Sequence, residues 1–312
     1  MNKLHALLGL LIITLIGCAT GGETPELAQF IGGTQGLAVS FEPNTPPKEA
    51  FDGGFAPFDV VVRLENKGEE TVKTGDTTVR ITGVLEPEFN LKSGDLTKKV
   101  AEELTAVRKD ATGKILAGNP VFVEFKNFNH VSEIAGNALD FPLRADVCYK
   151  YATKASTQLC SRANILNPET NGICEITGDK PVANSGSPIQ VTNVKQAARS
   201  ANSITFSFDI THSGTGKVYE RDSICDKSQR RYEDNVFVAV DTKVSGLSCS
   251  RLDSSGDGSV SGFIKMFSGT TTVTCTQQFT RATDAVIPAT IDVGFDYEER
   301  AQTTVTIKHA GE

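Results

Sequence analysis

Six cysteines between residues 148 and 275 carry the most specific chemistry of the sequence. They are Cys148, Cys160, Cys174, Cys225, Cys249 and Cys275. Thiols pair as disulfides in an oxidising compartment, and they bind zinc in many intracellular proteins. No two of them have the Cys-x-x-Cys spacing that a structural zinc site usually shows. An even number of cysteines therefore predicts three disulfides, provided that the chain is exported.

The start of the chain predicts export. Residues 4–17 form a nearly unbroken apolar run behind Lys3, as in a secretory signal peptide. The run is shorter than the about 20 apolar residues that a membrane-spanning helix needs, and polar, Gly-rich sequence follows Cys18. We therefore expect residues 1–17 to be a signal peptide that is cleaved.

The residues at the cleavage point indicate lipid attachment. Residues 15–18, Leu-Ile-Gly-Cys, resemble the lipobox of prokaryotic lipoproteins. The resemblance implies that the Cys18 sulfur carries a diacylglyceryl group, with fatty acyl chains such as palmitate. Two acyl chains hold a protein stably at a membrane, whereas one gives only marginal binding. The alternatives are an ordinary signal peptide cut at Ala19 or Gly21, and an uncleaved anchor.

Predicted hairpins suggest how the six other cysteines pair. One hairpin over residues 149–159 would place the cysteines that flank it opposite each other. A second hairpin, with its turn at residues 254–258, would do the same for another pair. The predicted bonds are Cys148–Cys160, Cys249–Cys275 and, by remainder, Cys174–Cys225. Because six cysteines allow many connectivities, this pairing depends on the hairpins.

A short acidic segment could begin a calcium loop. Asp253, Ser255 and Asp257 place oxygen atoms at alternate positions, and Gly258 is the sixth residue. The twelfth residue is Ile264, where an EF-hand needs a bidentate glutamate, and the flanking segments are predicted strands. We therefore favour a Ser/Gly/Asp hairpin loop over a calcium site, and we predict no metal and no cofactor.

Catalytic motifs are weak in this sequence. His130, His212 and His309 are far apart, and no Gly-x-Ser-x-Gly nucleophile elbow is present. The nearest string, residues 258–262, has Val260 where the serine should be. We expect His212 to lie at a strand end, and we predict that the protein is not an enzyme.

The charge distribution disfavours nucleic acid as a partner. The net charge is -7, and the charges are spread along the chain. The two basic clusters, Lys98-Lys99 and Arg230-Arg231, are short. Nucleic acids and anionic lipids both need a more extensive basic surface.

Alternating polar and apolar residues predict an all-β fold. In residues 58–68, for example, Phe58, Val60, Val62 and Leu64 share one face, which is the period of a half-buried strand. Other predicted strands span residues 37–41, 78–84, 120–125, 139–151, 235–243, 260–267, 270–280, 289–295 and 303–309. One helix is predicted over residues 96–108, because apolar residues recur there every three or four positions.

A sequence repeat divides the chain into two halves. Residues 58–72 recur at residues 204–218, an offset of 146, with matching apolar positions along the strand. Gly68 and Gly214 are equivalent in this repeat. A glycine at this place would permit the positive φ of a turn that leaves the strand.

The first copy of the repeat resembles CARDB-type domains, which are Ig-like modules of prokaryotic surface proteins. The resemblance rests on residues 58–72, with a strand followed by Asn66-Lys67-Gly68. In the second copy, His212-Ser213-Gly214 replaces Asn-x-Gly. The lipobox and the tandem halves are also similar to exported archaeal proteins. The resemblance implies two tandem Ig-like β-sandwiches that serve as adhesins, spacers or binding modules, and it fixes no ligand.

The expected organisation combines these features. It comprises a signal peptide (1–17), a lipidated linker (18–35), a CARDB/Ig-like domain (36–162), a cysteine-containing linker (163–186) and an Ig-like domain (187–312). We expect a membrane-anchored, extracytoplasmic lipoprotein that binds an envelope protein or polysaccharide, mediates adhesion or acts as a spacer, without catalysis. The alternatives are a structural subunit of an envelope assembly, joined through exposed strand edges, and a hydrolase whose site is built from loops.

Overall fold

The computed structural model of the chain describes residue 27 and residues 29–167 and 172–310. The described residues form twenty strands and one 3-10 turn, Arg230–Tyr232, and they contain no α-helix. The strands of the first half are β1 Leu37–Phe41, β2 Glu49–Phe51, β3 Phe58–Asn66, β4 Thr77–Thr82, β5 Thr97–Lys99, β6 Arg108–Lys109, β7 Ile115–Leu116, β8 Val121–Phe128 and β9 Ala138–Ser161. Those of the second half are β10 Gly178–Asp179, β11 Val182–Asn184, β12 Ile189–Ser200, β13 Ser203–His212, β14 Lys217–Tyr219, β15 Asn235–Asp241, β16 Leu247–Cys249, β17 Asp253–Gly256, β18 Ser259–Lys265, β19 Thr270–Gln278 and β20 Ala285–Lys308. The prediction of an all-β fold is therefore confirmed.

Three sheets build the molecule. The central sheet has ten strands and contains the order β17-β18-β15-β20-β9-β4-β5, with β2, β11 and β14 pairing outside this path. A three-stranded sheet has the order β1-β3-β8, and a five-stranded sheet has the order β10-β12-β13-β19-β16. Strands β6 and β7 form a separate hairpin. Among these pairings only that of β2 with β20 is parallel.

Both small sheets pack on the same face of the central sheet. Strands β9 and β20, with 24 residues each, pair along their whole lengths. The odd-numbered residues of β9 are buried from Phe141 to its end, because the small sheets cover that face one after the other. Accordingly, the N–H of Leu37 in β1 donates to the Tyr149 hydroxyl at 3.0 Å, and the Thr153 hydroxyl donates to the carbonyl of Ile189 in β12 at 2.6 Å. The two halves of the chain are thus joined by one continuous sheet.

The sequence repeat is visible as an internal pseudo-twofold axis. The neighbours β1-β3-β8 of the first half recur as β12-β13-β19, and the pair β4-β9 recurs as β15-β20. In the register of β9 with β20, Lys150 lies opposite Asp296, and these residues are separated by the same 146 positions as the repeat. The axis therefore passes through this residue pair, and each half contributes one of the two long strands.

A buried tyrosine closes the repeat motif in the first half. The Tyr151 hydroxyl donates to Asn66 Oδ1 at 3.1 Å and accepts the N–H of Glu70 at 3.3 Å. Burial raises the pKa of Tyr151 well above its usual value, so the hydroxyl remains protonated and can donate.

The second half repeats this arrangement with other residue types. The Tyr297 hydroxyl lies 2.9 Å from His212 Nε2 and accepts the N–H of Gly216 at 2.7 Å. His212 is the last residue of β13, as predicted. Burial lowers the pKa of His212, which favours a neutral ring beside the tyrosine.

The two repeat glycines make room for these tyrosines. Neither Gly68 nor Gly214 has a positive φ, so the predicted reason for a glycine here is wrong. A Cβ atom built on Gly68 would overlap the Tyr151 hydroxyl, and one built on Gly214 would overlap the Tyr297 hydroxyl. The sequence pattern thus selects glycine because a tyrosine approaches the backbone closely.

Two of the three predicted disulfides are wrong. Cys249 and Cys275 are bonded as predicted, but Cys148 pairs with Cys225 and Cys160 with Cys174, instead of Cys148–Cys160 and Cys174–Cys225. The predicted hairpin over residues 149–159 does not form, because β9 continues through this segment without a turn. At about 3.3 Å per residue, Cys148 and Cys160 lie roughly 40 Å apart along one strand.

The predicted helix over residues 96–108 is also wrong. This segment contains β5 and a bridge between Leu104 and Val72. The spacing of Leu96, Val100 and Leu104 is four, which suits a helix but also places all three on one side of an extended chain. All three are buried, so the extended alternative satisfies the apolar pattern as well as a helix would.

Other predicted boundaries also differ from the observed strands. The predicted strands 289–295 and 303–309 belong to one strand, β20. Residues 163–186, predicted as a linker, contain β10, which pairs with β12, and β11, which pairs with β9. The predicted division into two separate domains stays a prediction.

Candidate functional site

An insertion in the second half breaks the pseudo-symmetry and crosses the outer face of the central sheet. The connection from β13 to β15 spans residues 213–234, whereas the equivalent connection from β3 to β4 spans only residues 67–76. The disulfide Cys148–Cys225 attaches the insertion to β9 of the other half. Asp296 Oδ2 also accepts the N–H of Ile224 at 2.7 Å. The insertion therefore covers the seam where the two halves meet.

The backbone of the insertion is held in an unusual conformation. Asp222, Ile224 and Cys225 have φ values of 68°, 56° and 49°. Left-handed backbone is a rare state for residues other than glycine, and it is most costly for a β-branched residue such as Ile224. Such strain persists only where the surroundings enforce it, and here the disulfide and Asp296 do so.

Three adjoining clefts surround the insertion on this face. The largest, of about 650 Å³, lies between β4 and residues 223–228. It shares Thr78, Cys148 and Ile224 with a cleft of about 240 Å³. That cleft in turn adjoins one of about 310 Å³ that reaches Gly294. We call this continuous depression the seam groove.

The floor of the largest cleft is a buried network of charges. The side chains of Asp146 and Glu298 are only 7% and 3% exposed. Arg300 binds both, with Nε 2.9 Å from Asp146 and an Nη 2.7 Å from Glu298. Lys227 of the insertion adds a contact of 2.6 Å to Glu298, and Arg144 lies 3.2 Å from Asp146. Since unpaired buried carboxylates are very costly, these cations fix the floor and the insertion together.

A second ion-pair group lies on the pseudo-twofold axis. Lys150 Nζ is 2.7 Å from Asp222 of the insertion and 3.4 Å from Asp76 of the first half. The hydrogen bond to Lys150 lowers the pKa of Asp222, and the bond to Asp222 raises the pKa of Lys150. Burial raises the pKa of Asp296, which lies opposite Lys150. Both halves and the insertion thus share one electrostatic cluster.

Three cations in the groove remain available to a ligand, and one of them, the exposed Lys73, lines the cleft of about 310 Å³. Arg80 lines the largest cleft and Lys99 the next one, and both are exposed. Within the described part of the chain, none of the three makes a salt bridge or a side-chain hydrogen bond. The hydroxyl groups of Thr78 and Thr97 lie beside Arg80 in the lining. The groove therefore offers free positive charge and hydrogen-bonding groups above a neutralised floor.

The structure places the three predicted candidate histidines in separate surroundings. His130 is buried against the rings of Phe89 and Phe141, with Nε2 3.5 Å from Glu88. His212 contacts Tyr297 in the core, as described above. None of the three lines the seam groove.

His309 belongs to a clasp at the end of β20. The buried Asp52 accepts the N–H of Ala310 at 3.0 Å, the His309 ring at 2.8 Å and the N–H of Ile134 at 2.9 Å. These three hydrogen bonds hold the pKa of the Asp52 carboxyl well below its usual value, and the bond from the Ala310 N–H has the largest effect. The bond to Asp52 raises the pKa of His309. The clasp fastens the end of the chain to the first half.

The weak calcium candidates lie on a hairpin, as favoured from the sequence. Asp253 is in β17, and Asp257 lies in the turn that leads to β18. Ser255 also belongs to β17. The described residues contain no group of three or more histidine, cysteine or acidic side chains that could hold a metal ion.

The lipidation prediction falls outside the described residues, because Cys18 precedes them. The structure does show how the first described residues are held. Glu69 accepts the N–H groups of Ile31 and Gly32 at 2.9 and 2.8 Å and that of Gly186 at 2.7 Å. The N-terminal segment is therefore fastened between the two halves. No helix in the described ranges has the length and apolar character needed to cross a membrane.

The seam groove was not predicted from the sequence. Asp146 and Glu298 lie on the polar faces of alternating strands, so the sequence pattern predicts that both are exposed. Their burial depends on the insertion, whose attachment to β9 follows from a disulfide that the sequence did not reveal.

Comparison with known proteins assigns no family. No protein-family model matches the chain, and no curated protein is significantly similar to it. The resemblance to CARDB-type domains thus rests on the repeat residues alone and stays a prediction.

Proposed function

We propose that this protein is a membrane-anchored, extracytoplasmic lipoprotein that binds a polysaccharide or protein of the cell envelope without catalysis. The observation that carries the binding function is the seam groove, a preformed depression with free cations over a fixed floor. The two-sandwich body is the scaffold, and the lipid at Cys18 is the anchor.

The compartment follows from the cysteines. Three disulfides among the described residues indicate an oxidising, extracytoplasmic environment, because such bonds are rare in reducing compartments. The six cysteines that follow Cys18 are all used in these bonds, so Cys18 is the remaining thiol of the seven. This supports its assignment to the lipid.

The groove has the features of a binding surface. Strained backbone of Asp222, Ile224 and Cys225 borders it, and such strain clusters at functional sites. Arg80 supplies a planar, bidentate donor that suits carboxylate, sulfate or phosphate groups. Uronic acids of polysaccharides and acidic side chains of proteins both present such groups.

Replacing Cys18 by serine tests the anchor. We expect Cys18→Ser to move the protein from the membrane fraction to the soluble fraction, because the thiol is the attachment point of both acyl chains. Intact mass spectrometry of the wild type should show a chain that begins at Cys18 with an added diacylglyceryl mass. A wild-type chain that begins at Ala19 or Gly21 without lipid would contradict the anchor.

Reversing the charge of Arg80 tests the groove. We expect Arg80→Glu to weaken binding to envelope polysaccharide or crosslinked envelope protein by about tenfold or more, since it loses an attraction and adds a repulsion. Binding would be measured by calorimetry on fractionated envelope components. Arg108→Glu is the matched control, because Arg108 is exposed in β6 and does not line the groove. Equal binding by both variants would move the site away from the groove.

A further inference from the structure

The two small sheets differ at one edge, although the internal symmetry makes them equivalent. In the second half, β19 is flanked by β16, which pairs with it over three residues. In the first half, β8 is the equivalent of β19 and is the last strand of its sheet. Among the described strands, none pairs with β8 on that side. Half one thus lacks the strand that covers the corresponding edge of half two.

The backbone groups at this edge are oriented outward. Val61 exchanges hydrogen bonds with Glu42 and Thr45 on the β1 side, so Val60 and Val62 use their backbone groups toward β8. Backbone groups alternate sides along a strand. Those of Phe122 and Glu124 in β8 therefore point to the open edge, and Lys126 continues this alternation up to the point where the pairing of β3 with β8 shifts by one residue. In β19, the backbone of the equivalent residue, Thr274, is bonded to Ser250.

Within the described part of the chain, the outward backbone of this edge accepts one side-chain hydrogen bond, from the exposed Lys98. Lys98 Nζ lies 2.6 Å from the Glu124 carbonyl and 5.3 Å from the centroid of the Phe125 ring. Lysine is a common protection of open strand edges, and this one is on an exposed strand from which it can withdraw. The edge is therefore guarded but not occupied.

The charged side chains along this edge are complementary to those of the same edge in a second copy of the chain. Glu124 and Lys126 are both exposed, and their charged groups lie 3.0 Å apart. When two copies of β8 run antiparallel with Phe125 at the twofold axis, Glu124 of each copy faces Lys126 of the other. This register pairs outward-facing backbone groups, and it creates two cross-strand ion pairs. The register centred on Glu124 would instead place two glutamates opposite each other.

The molecule already uses this kind of joint internally. Strands β9 and β20 are antiparallel, and they meet at an axis where Lys150 faces Asp296. Antiparallel strands are related by a twofold axis, so pairing of identical edges gives a closed dimer.

We propose that β8 is a homodimerisation edge, at which two copies of this chain pair antiparallel through residues 124–126. The two three-stranded sheets become one six-stranded sheet. The joint differs in position from the seam groove, which lies on the other face of the central sheet, although β5 supplies Lys98 to the edge and Lys99 to the groove. It would join lipid-anchored copies into pairs on the membrane surface.

Charge reversal tests the dimer and its register. The test uses a chain that begins at Ala19, which contains every residue that the structure describes. Sedimentation equilibrium over a concentration series should show a monomer–dimer equilibrium for the wild type. Glu124→Lys and Lys126→Glu should each weaken dimerisation by about tenfold or more, because each places like charges opposite each other twice. A mixture of the two variants should form a heterodimer. In it, the two lysines of one copy face the two glutamates of the other, so both cross-strand ion pairs form again.

The matched control is Thr274→Lys, at the exposed and equivalent position of β19, and it should dimerise like the wild type. Circular dichroism would show that each variant is folded. A wild type that stays monomeric at the highest concentration would overturn the proposal. Equal dimerisation of all variants would also overturn it, because the contact would then lie elsewhere. The same holds if the mixture of the two charge variants fails to associate.

Discussion

Removing the disulfide Cys148–Cys225 by a double substitution to alanine should lower the free energy of unfolding by about 4.5 kcal/mol. The bond closes a loop of 77 residues, and the loss of denatured-state entropy from a loop of this length corresponds to roughly that value. The double substitution Cys160→Ala with Cys174→Ala opens a loop of only 14 residues and should cost about 3 kcal/mol. Urea unfolding of both variants would measure the difference.

The same substitution should have a local effect that separates it from a general loss of stability. Without the bond, the left-handed residues Ile224 and Cys225 are free to relax, although Asp296, the ion pairs of Lys150 and Lys227 and the pairing of β14 with β20 still hold the rest of the insertion. Hydrogen exchange of the Ile224 N–H should therefore become faster than in the variant without the other disulfide. Similar exchange in both variants would mean that the remaining contacts of the insertion fix Ile224 without the disulfide.

The fold was predictable from the sequence where one face of a strand is buried and the other is exposed. Strand β3 illustrates this, because Val60, Val62 and Leu64 are buried and their neighbours are not. The period of two then fixes both the strand and its orientation. The repeat at residues 204–218 was recognised for the same reason.

Prediction failed where both faces of a strand are covered. In the middle of β20, the polar run Asp-Tyr-Glu-Glu-Arg at residues 296–300 lies between the predicted strands 289–295 and 303–309. Asp296 and Glu298 are nevertheless buried, because the insertion supplies N–H groups and cations to them. Long-range partners of this kind leave no local pattern, so the long strands, two of the disulfides and the seam groove were all missed together.

Gly68→Ala should destabilise the protein by about 3 kcal/mol, although the backbone at Gly68 is acceptable for alanine. The added Cβ would overlap the Tyr151 hydroxyl and the Gly186 carbonyl, and it would lie 2.6 Å from the carbonyl of Gln35. Overpacking of a rigid site costs about 1–3 kcal/mol and sometimes more. Three separate segments converge here, so a shift that relieves one contact tightens another. Urea unfolding would measure the loss, and an unchanged midpoint would contradict the packing.

The equivalent substitution in the second half separates side-chain clashes from backbone clashes. At Gly214 the added Cβ would overlap the Tyr297 hydroxyl and lie 2.6 Å from Pro188 Cβ, and both are side-chain atoms. Adding Tyr297→Phe should therefore recover part of the stability that Gly214→Ala loses. Adding Tyr151→Phe should not rescue Gly68→Ala, because the two carbonyl oxygens remain in place. Equal rescue in both halves would mean that the tyrosine hydroxyl is the only obstacle, and that the junction of the N-terminal segment with the two halves is easily deformed.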